Sequence, residues 1–243
     1  MKEKLYTIPI NEAFEKNSEC PFCSLFEELE KRALEYTLGP SYMEPDIRLI
    51  TNKLGFCREH YTKMYNMNNR LGLSLMTTSH FDSIISIYEN FYKENFLERK
   101  KGLFEKKKAA AENPIKQLEK SCFICEKISA DMDKFFDTFI FMWRKEKEFK
   151  NRVLSSNGFC LKHFDTIICI AHKKMPSGEF EEFFNLLLKK QTENLHRVKE
   201  DLDWFIQKFD CRFKNEPWKN SKDALKRSII KIASVNPEKG EDN

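Results

Sequence analysis

The sequence predicts an all-α protein made of two duplicated helical units, each stapled by a Cys3His metal site. Three observations lead to this prediction. The 243 residues include only 7 glycines and 8 prolines, fewer than the frequent turns of a β-sandwich or barrel require. Apolar residues recur at helical spacing over long stretches, and one cysteine and histidine motif occurs twice along the chain.

The repeated motif consists of two half-sites, C-x2-C and C-x2-H. In the first copy, CPFC ends at Cys23 and is followed by GFCREH, which ends at His60. In the second copy, CFIC ends at Cys125 and GFCLKH ends at His163. The first half-sites are offset by 102 residues, as from 23 to 125, and the second by 103, as from 60 to 163. The chain therefore contains two copies of one unit.

The repeat and the charge pattern divide the chain into four predicted segments. These are a first helical metal-binding unit at 1–100, a basic helical linker at 101–116, a second helical metal-binding unit at 117–210, and a C-terminal helix with a frayed tail at 211–243.

Turn and cap signals divide the first unit into four predicted helices. The first follows Cys23 and ends at Gly39-Pro40, and the second begins near Ser41, with Glu44 as a capping box, and ends at Gly55. The third opens at the second half-site, and the fourth is capped by Ser79 with Asp82. The second unit repeats this plan and ends in a long helix from Glu179 to about Phe209.

The eight motif residues are predicted to ligate metal, because zinc takes four ligands in a tetrahedron and Cys3His is one of its structural sets. Within each unit, one half-site fills two corners and the other half-site fills the rest. The predicted ligand sets are Cys20, Cys23, Cys57 and His60 in the first unit, and Cys122, Cys125, Cys160 and His163 in the second. An exchange of half-sites between the units is the alternative, since duplicated folds can exchange equivalent parts.

The donor set favours zinc, two ions per chain, with an iron–sulfur cluster as the alternative because thiolates also hold such clusters. The spacing lacks the C-x2-C-x2-C run of ferredoxins. A closed set of four ligands is typical of structural zinc, whereas catalytic zinc keeps one position open. We therefore assign no catalytic residues, and the sequence does not point to an enzyme. Buried thiols without metal are the plain structural alternative.

Other chemically interesting residues favour ordinary structural roles. Glu193 and His196 form half of a di-iron helix motif, but the repeat supplies no partner motif. Cys169 and Cys211 stand beside bulky apolar residues and are predicted to be inert core thiols. The 22 phenylalanines are predicted to form core.

Charge and segment composition bear on location and partners. The net charge of +4 is too small to indicate a nucleic-acid-binding surface, although the basic stretch at 99–108 leaves such binding open. The chain has no run of 18 apolar residues and no signal-peptide core, so we expect a cytoplasmic protein with no membrane partner. In a reducing compartment, eight cysteines are typical of metal binding rather than disulfides.

The stretches KEKLYTIPINEAF, ECPFC, GFCREH, CFIC and GFCLKH together resemble a family of bacterial cytoplasmic proteins that is described as a domain of unknown function. The resemblance extends over most of the chain. It implies a bacterial origin and supports the grouping of the eight ligand positions, but it carries no activity. The leading functional hypothesis is a zinc-stapled scaffold that binds another protein. The alternatives are an iron–sulfur or thiolate-based redox or sulfur-handling enzyme, and a nucleic-acid-binding protein.

Overall fold

The computed structural model describes residues 4–93, 118 and 120–240. Within these ranges the chain forms ten α-helices and no strand, which confirms the predicted all-α class. The helices are α1 Lys4–Glu15, α2 Pro21–Leu38, α3 Pro45–Leu54, α4 Arg58–Asn66, α5 Arg70–Tyr92, α6 Phe123–Lys145, α7 Lys147–Ser155, α8 Leu161–Lys174, α9 Ser177–Gln207 and α10 Ala224–Ala233. The predicted linker at 101–116 lies outside the described residues.

The chain divides into two compact units. The terminal unit consists of Met1–Glu28 together with Asp131–Asn243, and the central unit consists of Leu29–Ala130. Helix α2 therefore begins in the terminal unit and ends in the central unit, whereas α6 begins in the central unit and ends in the terminal unit.

Most predicted helix ends are confirmed, because helices end or begin at the predicted glycine and proline positions. Helix α2 ends at Leu38, directly before Gly39-Pro40. Helix α3 ends before Gly55, whose φ of 58° places it in the left-handed half of the backbone map that glycine favours. At the far end of the chain, α9 begins directly after Pro176.

Two predicted caps are wrong. Ser41 lies in a short 3₁₀ turn, and α3 begins at Pro45 without a side-chain cap, because proline is pre-organised for the first helical position. Helix α5 begins at Arg70, where the Asn69 side chain accepts a hydrogen bond from the Gly72 amide at 2.8 Å. Ser79 therefore lies inside α5.

The core of the terminal unit is a cluster of phenylalanine rings. Phe139 is fully buried, and its ring centroid lies 5.5 Å from that of Phe22, 5.7 Å from Phe149 and 5.9 Å from Phe159. Edge-to-face aromatic pairs of this kind are each worth about 0.5–1.5 kcal/mol beyond their buried area. Phe22 and Phe159 belong to the CPFC and GFC motifs, so this core also fixes the two half-sites that carry them.

The central unit is organised by the packing of α3 against α5. Arg48 of α3 donates hydrogen bonds to the Leu75 carbonyl, at 3.2 Å, and to the Ser79 hydroxyl of α5. The Nδ1 atom of His80 lies 2.7 Å from the carbonyl oxygen of Asn52.

Among the residues that the structure describes, none of the helices combines the length and the hydropathy that a membrane-spanning helix requires.

Candidate metal centres

All four half-sites lie at the N-termini of helices. Cys20 and Cys122 directly precede α2 and α6. Cys57 and Cys160 are the N-cap residues of α4 and α8, with the same φ of −73°. The second residue of each half-site follows in the first helical turn. The N-terminal end of a helix carries partial positive charge, which stabilises a thiolate and prepares a cysteine to ligate metal.

The terminal unit brings together one cluster of four donor atoms, which we call the terminal cluster. Its members are Cys20, Cys23, Cys160 and His163, and all four are buried. The Nδ1 atom of His163 lies 3.4 Å, 3.5 Å and 3.2 Å from the sulfurs of Cys20, Cys23 and Cys160. The Cys23 and Cys160 sulfurs are 3.6 Å apart.

The central unit brings together the remaining four motif residues, which we call the central cluster. Its members are Cys57, His60, Cys122 and Cys125. The Nδ1 atom of His60 lies 3.2 Å, 3.3 Å and 3.4 Å from the sulfurs of Cys57, Cys122 and Cys125. The Cys57 and Cys125 sulfurs are 3.9 Å apart.

The predicted pairing of half-sites within each repeat is wrong, and the exchanged pairing is the one observed. Each cluster combines the first half-site of one repeat with the second half-site of the other. In the central unit the Phe123 amide donates to the Gly55 carbonyl at 3.0 Å, and the Ser121 hydroxyl donates to the Leu54 carbonyl at 2.7 Å. These bonds join the two half-site loops directly.

Both clusters have the dimensions that a metal ion requires. A tetrahedral zinc ion with bonds of about 2.3 Å to sulfur and 2.0–2.1 Å to nitrogen has S–S edges of about 3.8 Å and S–N edges of about 3.6 Å. The observed S–S separations are 3.6 Å and 3.9 Å, far beyond the about 2.0 Å of a disulfide. The S–N separations lie slightly below the zinc value. Each cluster can therefore hold one four-coordinate metal ion.

The electrostatics of the central cluster favour a bound cation. Burial raises the pKa of Cys122, but the hydrogen bonds with His60 and with the backbone of Cys125 and Cys57 together outweigh burial and lower the pKa to about 6. Burial lowers the pKa of His60, while the hydrogen bonds with Cys122 and Glu30 raise it to about 10. Burial and the neighbouring Cys122 raise the pKa of Cys125. The protein therefore stabilises the Cys122 thiolate by itself, and a divalent cation would also favour the ionised form of Cys125.

In the terminal cluster, too, the pKa of one thiol is lowered while the pKa values of others are raised. Hydrogen bonds from Cys20 and Cys23 lower the pKa of Cys160. Burial raises the pKa of Cys20 to about 12, and the hydrogen bond with Cys160 raises that of Cys23. Thiolates this close together repel each other unless a positive charge lies among them.

The two clusters have different supporting groups, which the repeat did not predict. In the central cluster, the Nε2 atom of His60 lies 3.2 Å from a carboxylate oxygen of Glu30. Lys63 holds the same carboxylate at 2.7 Å and 2.8 Å. A carboxylate on the outer nitrogen of a ligating histidine fixes the ring and strengthens the ligand. The repeat places Met132 where Glu30 stands in the first copy.

In the terminal cluster, a lysine from α10 joins the half-site loops. Pro21 occupies the position equivalent to Phe123 and has no amide hydrogen to donate. The buried Lys231 ammonium instead donates to the carbonyls of Glu19, at 2.7 Å, and Asn157. The Lys231 ammonium also lies 3.2 Å from the Glu19 carboxylate.

Further side chains enclose the terminal cluster. The Gln191 side chain pairs with both backbone groups of Phe159, accepting at 3.0 Å and donating at 2.8 Å. The Ser234 hydroxyl donates to the Cys160 sulfur at 3.1 Å. Arg197 binds the Glu19 carboxylate at 2.7 Å and 2.9 Å. Periodicity could not identify these residues, because they lie outside the motif, in α9 and directly after α10.

The remaining candidate residues do not join either cluster. Glu193 and His196 are exposed on α9. Cys169 and Cys211 are also exposed, so the prediction that they are core thiols is wrong. The apolar neighbours of Cys169 point elsewhere on an amphipathic helix, as the complete burial of Ile167 illustrates. The basic stretch at 99–108 lies outside the described residues.

Comparison with known proteins gives a family without an assigned activity. The model of the family described as "Family of unknown function (DUF6062)" matches residues 1–239. The chain belongs to this family. The resemblance inferred from the motifs is therefore confirmed. No curated protein and no solved structure matches the chain, so the functional argument depends on the two clusters.

Proposed function

We propose that this member of the family is a zinc-binding helical scaffold that carries two structural Cys3His centres and binds another protein. The observation that carries the proposal is the convergence of three sulfurs and one imidazole nitrogen in each of two clusters. Three thiolates with one imidazole suit zinc, and a closed set of four ligands is typical of structural rather than catalytic sites.

The positions of the ligands support a structural role. Cys23 and Cys160 are 137 residues apart in the chain, and Cys57 and Cys125 are 68 residues apart. A metal ion that joins such distant segments removes conformational freedom from the unfolded chain. Zinc binding in small zinc-finger peptides supplies about 10–16 kcal/mol of apparent free energy at neutral pH. Zinc at these two positions would therefore stabilise each unit strongly.

The deciding experiment is elemental analysis combined with a visible spectrum, on protein purified without oxygen. We expect a colourless protein with two zinc ions per chain, one for each cluster. Iron and sulfide with strong visible absorption would instead identify iron–sulfur clusters and favour the redox enzyme. Protein that binds neither metal would overturn the proposal.

A substitution distinguishes a structural from a chemical role of the zinc. We expect Cys57→Ser to lose one zinc ion and to destabilise the central unit, as measured by chemical unfolding. Cys211→Ser is the matched control, because this thiol is exposed and belongs to neither cluster. A Cys57→Ser protein with full stability and only a lost activity would contradict the scaffold.

We propose a protein partner because large apolar side chains of α5 are exposed, including Phe81 at 58% and Ile85 at 52%. The competing proposal, nucleic-acid binding, predicts an affinity that falls steeply with salt. We expect no such binding to DNA or RNA at low ionic strength. We also propose a cytoplasmic location, because all eight cysteines are free and a reducing compartment keeps thiols in this state.

A further inference from the structure

The two clusters differ in how accessible their sulfurs are. All four members of the terminal cluster are buried. In the central cluster, Cys125 is exposed and Cys57 is half-buried, whereas Cys122 and His60 are buried. Oxidants and electrophiles in solution therefore have access to only one of the two clusters, since reaction at a cysteine requires exposure as well as thiolate character.

The two accessible sulfurs are also neighbours. The Cys57 and Cys125 sulfurs are 3.9 Å apart. Formation of a disulfide, with a bond of about 2.0 Å, would require an approach of about 2 Å. Cys57 caps α4 and Cys125 lies in the first turn of α6, so a small adjustment at the start of two helices brings the sulfurs together. Oxidation would remove two of the four donors from the metal.

In the terminal cluster, neighbouring side chains cover the histidine ring and the cysteine sulfurs. The Phe22 and Phe136 rings lie 5.9 Å and 6.0 Å, between centroids, from the ring of His163. The Ser234 hydroxyl covers the Cys160 sulfur. Cys23 stands at the repeat position of Cys125, but its side chain is buried. The same four ligand types are therefore exposed in one cluster and protected in the other.

We propose that the central cluster is a redox-sensitive metal site, in which peroxide links Cys57 to Cys125 and releases the metal ion while the terminal cluster keeps its own. This inference rests on the proposed zinc binding. The Cys125 thiolate attacks hydrogen peroxide, the O–O bond breaks, and a sulfenic acid and hydroxide form. The Cys57 thiolate then attacks the Cys125 sulfur, an S–S bond forms, and hydroxide leaves. Two thiolates, one peroxide and two protons thus give one disulfide and two waters.

A thiol reductant reverses this chemistry by exchange through a mixed disulfide, which restores both thiolates. Metal then binds again to the complete donor set. The terminal cluster keeps the terminal unit folded throughout, so the oxidised protein is changed only in its central unit. The site would report oxidising conditions through the stability of that unit.

The experiment uses the full chain with Cys169→Ser and Cys211→Ser, because these exposed thiols would otherwise consume peroxide. Metal content is measured first and should be two zinc ions per chain. Limited peroxide is then added. A chromogenic chelator records the released zinc, and non-reducing peptide mapping locates the disulfide. We expect loss of one zinc ion, a Cys57–Cys125 disulfide, and recovery of both after reduction with zinc present.

A matched pair of variants separates access from ligand chemistry. In the same background, Cys125→His keeps four zinc-binding donors, because Cys2His2 is also a structural zinc set, but it removes one member of the reactive pair. We expect this variant to retain both zinc ions under peroxide. Cys23→His makes the same change at the buried repeat position, and we expect it to release one zinc ion as the parent does.

The possible failures are distinguishable. A protein that binds no metal overturns the proposed function and this inference together. A protein that holds two zinc ions but loses both or neither to peroxide overturns only the redox site. A disulfide that involves the terminal cluster does the same. If Cys125→His loses zinc during purification, the disulfide map of the parent protein still tests the redox site. A Cys57–Cys125 disulfide supports it, and the absence of this disulfide overturns it.

Discussion

Lys231 and Glu19, which are 212 residues apart in the chain, form a buried ion pair with a separation of 3.2 Å beside the terminal cluster. The lysine side chain is 1% exposed, and its ammonium also donates to backbone carbonyls of both half-site loops. The helix that supplies Lys231 lies outside the repeat. The C-terminal helix α10 therefore supports a cluster whose four donor residues all lie in other parts of the chain.

We expect Lys231→Met to destabilise the terminal unit by about 3 kcal/mol, because removal of one partner leaves a buried charge and buried carbonyls without a donor. Arg197 still pairs with the Glu19 carboxylate. The expected loss of stability therefore lies at the lower end of the range that is typical when one partner of a buried ion pair is removed. Chemical unfolding measures the loss. Zinc bound at the terminal cluster, as proposed above, should also become easier to remove with a chelator.

The control for Lys231→Met is Lys226→Met on the same helix. Lys226 pairs with Glu238, which is well exposed, and surface pairs of this kind contribute about 0–1 kcal/mol. Equal effects of the two substitutions would show that the Lys231 contacts do not stabilise the terminal cluster.

Paired substitutions test which half-sites share a metal ion. Cys57→Ser with Cys122→Ser removes two ligands of one observed cluster, so we expect the double variant to lose one zinc ion of two. Cys57→Ser with Cys20→Ser removes one ligand from each observed cluster, so we expect it to lose both. Elemental analysis after gel filtration provides the measurement. Pairing within each repeat would reverse the two results.

The motif identified the eight residues that come together in the two clusters, but not which half-sites share a cluster. The spacing within a half-site is local, so the C-x2-C and C-x2-H patterns identify donors that share one helix start. Which two half-sites meet depends on packing over long sequence separations. Phe22 and Phe159, for example, approach to 6.0 Å between ring centroids in the terminal core. The repeat is equally compatible with both pairings, and only these contacts decide between them.

Supporting residues were harder to predict because they follow no period. Glu30 and Lys231 are ordinary charged residues in helical sequence, and their role depends on which surfaces meet. The helix ends at Gly39-Pro40 and Gly55, by contrast, were predictable because the backbone preferences of proline and glycine act locally. Burial of a single thiol in a helix depends on helix phase, which explains the wrong prediction for Cys169. Cys211 lies instead in a short 3₁₀ turn, Cys211–Phe213, and is exposed there.

Glu30→Gln should weaken metal binding in the central cluster by about 10–100-fold, the effect typical of changes to the outer partner of a ligating histidine. The amide cannot supply the charge that holds the outer nitrogen of His60 at 3.2 Å. Competition with a chelator of known affinity measures the loss, and one of the two zinc ions should be affected.

Glu59→Gln is the matched control for Glu30→Gln. Glu59 also binds Lys63, at 2.8 Å, but it is exposed and its pair with Lys63 is an ordinary surface one. We expect it to leave both zinc affinities unchanged. Equal weakening by the two substitutions would attribute the effect to Lys63 or to net charge rather than to His60.

Gly55→Ala should destabilise the central unit and its cluster. Gly55 has φ 58° and ψ −152°, a conformation that only glycine adopts readily, and non-glycine residues there cost about 1–3 kcal/mol. A Cβ atom would also overlap the His80 imidazole. Gly178→Ala is the control, because its Cβ meets no atom within 4 Å and φ there is not positive. Chemical unfolding should show a loss for Gly55→Ala and a gain of up to about 1 kcal/mol for Gly178→Ala. Equal stability of the two variants would contradict the strained turn before Cys57.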